Sequence, residues 1–172
     1  MTRRRTFLFW PVLLGLFALD CSTKEMAVEH LSPAHIPHSV IGDVVRFTLA
    51  YNPDAAMGLS LGEYSRAGFI LLAAVMLCGV VLYYRRLPAD QGVTTVALGL
   101  IGGGAAGNLL DRLRSSRGVV DFIDVGVGNA RFWTFNFADA GVFCGALLLA
   151  FVLSKKEGNH GEHGEGQLYG GS

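Results

Sequence analysis

Two aspartates stand where an acid is costly. Asp121 lies in Gly118-Val-Val-Asp121-Phe-Ile123, an apolar, β-branched run that offers it no capping role. Asp139 lies just inside the apolar segment that opens at Phe135. An ionisable side chain at membrane depth faces a protein interior or a wet cavity, and marks a function. Two carboxyls held side by side cannot both ionise, so they share a proton. One can then take a proton while the other gives one. These residues read as a catalytic aspartate pair, able to do general acid–base work at a membrane surface. The elements around them must bring the two together.

Composition supports the membrane setting. Of 172 residues, 51% are hydrophobic and only 16% charged, and the formal net charge is zero. A typical soluble domain is about 25% charged. Zero net charge argues against nucleic acid as a partner, because neutralising phosphates needs a basic excess. Cys21, Cys78 and Cys144 have neither metal nor redox spacing, and two of them fall in apolar segments as small hydrophobes.

Four apolar stretches are expected to span the bilayer: 6–23, 67–84, 93–110 and 135–153. Each is about 18 residues or slightly more, roughly 27 Å of helix, close to the minimum for a hydrocarbon core. The first begins like a secretory signal, but Asp20 precedes Cys21 where a small residue would be needed for cleavage, so a retained span is expected. Arg3 to Arg5, Arg85-Arg86 and Lys155-Lys156 fall at one set of span ends, which places both termini in the cytoplasm. Outer loops 24–66 and 111–134 follow. In them Asp43 to Tyr51, Val119 to Val125 and Arg131 to Phe135 read as short strands of a small sheet. Residues 1–154 form one four-helix unit, and 155–172, rich in Gly, His and Glu, a disordered cytoplasmic tail.

The unusual polar residues all map to the outer side. Asp20 and Lys24 end the first span, Asn52 is in the first loop, and Asn108, Asp111 and Arg112 end the third span. Asn136 and Asp139 open the fourth. Several have plainer readings. Arg112, Arg114 and Arg117 suit an interface where arginines snorkel to headgroups. Gly102, Gly103, Gly104 and Gly107 suit close helix packing. His30, His35 and His38 have no partners that complete a metal site. An acid in the first turn of a helix is also favoured by the dipole. A competing class is a small non-enzymatic carrier using Asp121 and Asp139 as a proton relay. Such a carrier should place polar groups at several depths, including the cytoplasmic half, where this chain has only small, apolar or weakly polar ones.

Four motifs in register resemble lipoprotein signal peptidase, also called signal peptidase II, a bacterial intramembrane aspartyl protease family. Asp20-Cys-Ser-Thr23-Lys24 looks like its D-x-x-T-K motif, and Gly102 to Arg112 like its G-G-x-x-G-N-x-x-D-R motif. Val119-Val-Asp121-Phe-Ile and Phe135-Asn136-Phe-Ala138-Asp139 resemble the blocks that carry its catalytic aspartates. One block departs: Asn52-Pro-Asp54-Ala-Ala-Met57 stands where the family shows N-x-G-A-A and an aromatic. The resemblance implies an α-helical membrane protein of four transmembrane helices with a small extracytoplasmic β-cradle. It implies cleavage of prolipoproteins before the diacylglyceryl-modified cysteine, with no metal or organic cofactor. Asp121 and Asp139 would be catalytic; Asp20, Lys24, Asn52, Asn108, Asp111, Arg112, Asn136 and Ala138 would bind substrate or support the pair. A monomer in the bacterial inner membrane, contacting lipid, is expected.

Overall fold

The computed structural model describes residues 2–54 and 62–165. Met57 of the divergent block therefore lies outside the described residues. Four long helices, α1 (Thr2–His30), α2 (Ser65–Arg86), α3 (Gly92–Arg114) and α4 (Phe137–Glu165), accompany strands β1 (Pro37–Ile41), β2 (Val45–Asn52), β3 (Val119–Val127) and β4 (Ala130–Arg131). All four helices are long and apolar enough to cross a membrane. The strands form one antiparallel order, β1-β2-β3-β4.

The central helix is α3. In its spanning window 61% of residues are buried, against 22% or less in the others. Its glycines explain the position. Gly99 and Gly103 abut Val12, Leu13 and Leu16 of α1, Gly102 meets Leu13 and Val80, and Gly104 meets Ala138 and Val142 of α4. Helices in lipid gain little from hydrophobic burial, so close backbone approach over small residues supplies the contact. At the end of the bundle away from the sheet, Phe9, Val80, Leu87, Leu98 and Ile101 form the buried cluster, with Phe9 stacked on Tyr84 at 4.1 Å. The Arg5 guanidinium donates to the Leu87 carbonyl there. Leu71, Leu72, Val75, Phe143, Leu147 and Phe151 point outward as a hydrocarbon-facing belt.

The elements differ from the sequence-based boundaries in physical ways. α1 continues past Thr23 to His30, lifting the first loop clear of the bundle. α4 runs beyond Leu153 to Glu165, into the stretch expected as a tail, whose last residues lie outside the described part. The strand expected over 131–135 is only Ala130–Arg131, with Phe135 bridged to Ile123. The chain must leave the ladder there to enter α4. β1 carries no sequence signal because all five residues are exposed: it is an edge strand opened by a proline, without alternation.

Candidate active site

Backbone pairing brings Asp121 and Asp139 to a shared partner, Asn136. Phe135 exchanges hydrogen bonds with Ile123, 3.0 Å from its N–H and 2.8 Å to its carbonyl. Asn136 is the next residue, and Asp121 projects from the same face of β3 as Ile123. The Asn136 amide therefore lands on Asp121, Nδ2 to Oδ1 at 2.7 Å. On the other strand edge, β2 pairs Ala50 with Asp121 and Asn52 with Val119, and the Asn52 amide reaches Asp121 Oδ2 at 3.3 Å. Gly118 makes this crossing possible: its φ is +94°, and a side chain there would collide with the Asn52 carbonyl and Pro53.

Asp139 arrives by helix capping. Asn136 is the N-cap of α4: its Oδ1 accepts the Asp139 N–H at 2.9 Å, while Asp139 Oδ2 accepts the Asn136 N–H at 3.3 Å. This is a reciprocal capping box built from Asn and Asp. The dipole-favoured acid and the candidate functional acid are thus the same residue. The next free donor, the Ala138 N–H, is taken by Asp20 Oδ1 at 2.9 Å. Gly107 leaves the room for it, since a Cβ there would strike the Asp20 carboxylate.

Behind the pair lies an ionic cluster. Lys24, 3% exposed, places Nζ 2.7 Å from Asp20, 2.9 Å from Asp111 and 2.8 Å from Asn108 Oδ1. Three donors meet three acceptors, which a buried ammonium requires. Asn108 turns its Nδ2 to Asp139 Oδ1 at 2.8 Å. Asp111 also accepts the Val120 N–H at 3.2 Å, joining α3 to β3. Arg112 lies beneath, over the Phe69 ring, donating to the Asn108 and Asp54 carbonyls at 3.3 and 2.8 Å.

All ten residues singled out from the sequence thus meet at one end of the bundle: Asp20, Lys24, Asn52, Asn108, Asp111, Arg112, Asp121, Asn136, Ala138 and Asp139. Sequence reasoning missed the backbone of Asp54, whose N–H caps Asn52 Oδ1 at 3.1 Å and whose carbonyl holds Arg112. The Asn-Pro-Asp turn was its available signal. Asp54 does not adopt a left-handed conformation; among the described non-glycine residues only His35 has positive φ. Burial, and then the charge of Asp139, push Asp121 up to about 7. A carboxyl raised in this way beside a second carboxyl is an arrangement suited to general acid–base chemistry.

Residues 12–155 match the family model for signal peptidase (SPase) II. The chain is 37% identical to the lipoprotein signal peptidase of Rhodococcus jostii, over 88% of this chain and 75% of that protein. It is 32% identical to that of Geobacillus thermodenitrificans, over 90% and 97%. A solved bacterial membrane enzyme superposes with a TM-score of 0.75 at 26% identity, covering 86% of this chain and 88% of the other.

Proposed function

The chain belongs to the signal peptidase II family, whose members are membrane peptidases that process lipoproteins, and from that premise we propose how it works. It is an aspartyl endopeptidase that removes signal peptides by cutting before the diacylglyceryl-modified cysteine of prolipoproteins. The observation that carries this reading is the junction of buried Asp121 and half-buried Asp139 through buried Asn136. One carboxyl draws a proton from water as it attacks the scissile carbonyl. The other protonates the departing nitrogen, and the two exchange roles as the intermediate collapses.

Asn52, Asn108 and Asn136 orient the carboxyls, while Arg112 faces both of them and Asp111 electrostatically. Asp20, Lys24 and Ala138 hold the end of α4 in place. Apolar walls from α2 to α4 suit acyl chains and an apolar signal helix. The positive span ends support an orientation in the bacterial inner membrane with both termini cytoplasmic and the site at the outer face. One chain supplies every site residue, so residues 1–154 act as a single domain and a monomer suffices.

The test is to incubate the purified protein with a diacylglyceryl-modified prolipoprotein and follow its mass. Asp121→Asn and Asp139→Asn should each insert normally yet lose about 10⁴-fold or more in turnover, as losses of cooperating catalytic groups do. Near wild-type turnover in either would remove that residue from the mechanism.

A further inference from the structure

Three asparagines ring the carboxyl pair, and each has its carbonyl tied to a donor that cannot reverse. Asn52 Oδ1 accepts the Asp54 N–H, Asn136 Oδ1 accepts the Asp139 N–H, and Asn108 Oδ1 accepts the Lys24 ammonium. Backbone N–H groups and ammonium only donate. An amide with its oxygen so fixed must present its NH2 on the other side. Those ends point at the carboxyls: Asn52 and Asn136 at Asp121, Asn108 at Asp139. The hydrogen-bond directions follow from chemistry and leave no amide free to flip.

The two carboxyls are nevertheless unequal. Asp121 is served by neutral amides oriented by backbone, and one of these contacts is long at 3.3 Å. Asp139 sits in the first turn of α4 and takes its 2.8 Å bond from an amide polarised by a buried cation. The charged groups around the pair are Asp20 and Lys24 from α1, Asp111 and Arg112 from α3, and Asp121 from β3 opposite Asp139 on α4. From β2 comes the neutral Asn52, followed by Asp54. Lys24 reaches Asp139 through the donating end of the Asn108 amide, at 2.8 Å, whereas toward Asp121 it competes with Asn136 Nδ2, 3.2 Å away, for the same Asn108 oxygen.

We propose that Lys24 is a positioning residue: by pinning the Asn108 amide it keeps Asp139 the ionised partner at rest and leaves the shared proton on Asp121. Resting on the aspartyl-protease reading, this deepens it. Asp139 is then the base that takes the proton of the attacking water, and Asp121 the acid that protonates the leaving nitrogen.

Two measurements test it. Infrared difference spectroscopy on the purified protein, without substrate and at about pH 6, below the titration of Asp121, counts protonated carboxyls. Asp121→Asn should lose one such band relative to wild type. Adding Asn108→Leu, which cuts the link but leaves Lys24 with Asp20 and Asp111, should restore a band that disappears again with Asp139→Asn. Separately, Lys24→Gln should move the acid limb of the cleavage profile up by about one pH unit. KM should stay within about two-fold, because Lys24 is behind the pair and not on the substrate side. Lys24→Arg should return the wild-type limb. A band count unchanged in Asp121→Asn overturns the proposal, as does an unmoved acid limb in a folded Lys24→Gln. If Lys24→Gln does not fold, the Asn108→Leu comparison decides alone. Absence of cleavage by the wild type would strike the protease reading and leave the infrared result standing.

Discussion

Asp121→Asn should make the protein inactive and, above neutral pH, more stable. Burial and the neighbouring charge raise the Asp121 carboxyl from its ordinary 3.8 to about 7. Between those values the folded protein keeps a proton that the unfolded chain has released. The stability this carboxyl contributes is therefore fully present below about 3.8, falls as pH rises, and is gone above about 7. About three pH units at ~1.4 kcal/mol each give up to ~4 kcal/mol. Asparagine cannot ionise and escapes that decline. It has one acceptor oxygen where the carboxylate has two, so its NH2 confronts the donor of Asn136 or Asn52, at a cost of about 1 kcal/mol.

The variant should be ~1 kcal/mol less stable than wild type well below about pH 4 and up to ~3 kcal/mol more stable at about pH 8, with the curves crossing at about pH 4.5. At roughly 2–4 °C per kcal/mol for a chain of this size, the melting temperature at the higher pH should rise by roughly 6–12 °C. Thermal unfolding of both proteins in the same detergent, in steps across that range, measures the difference directly. A difference independent of pH, or one that favours wild type more as pH rises, would refute the reasoning.

Three more outcomes are expected. Replacing Cys21, Cys78 and Cys144 together by serine should leave cleavage intact: all three thiols are free and none belongs to the site network. Failure of a folded triple variant to cleave would reinstate a cysteine nucleophile. Asp54→Gly should keep cleavage within a few-fold and leave the pH–rate profile superimposable on wild type, because the N–H to Asn52 and the carbonyl to Arg112 belong to the backbone. A full-unit shift of the optimum to lower pH would instead mark Asp54 as a third interacting carboxylate. Gly104→Ala drives a methyl into the Ala138 carbonyl, next to Asp139, and should cost about 1–3 kcal/mol with a large loss of cleavage. Gly79→Ala meets no neighbour and should be neutral, so equal behaviour of the two would discount the packing argument.

The spans were legible because hydrocarbon selects composition directly, and the site because a polar residue in such a stretch is conspicuous. Asp139 stood out for that reason, and so did Asp20. The partners of these residues were not legible. Whether Asn136 touches Asp121 depends on β3 pairing with Phe135 at one register and not the next, a contact set by non-local bonding. Residues of β1 face solvent on an edge, where no burial pattern is imposed on their types. The polarity of the asparagines is a property of their neighbours, which residue type alone does not carry.

The Asp20 to Ala138 hydrogen bond joins residues 118 positions apart. During synthesis, α4 is the last of the four described helices to leave the ribosome. Until it docks, Asp121 lacks Asn136, Asp139 is not yet inserted, and Asp20 has no helix end to cap. On the proposed aspartyl mechanism, a nascent or truncated chain holding α1 to α3 lacks Asp139 and should not hydrolyse peptides, however well those helices have settled in the bilayer. On that mechanism, hydrolytic capacity should arrive only when α4 docks and the Asp20 to Ala138 bond closes.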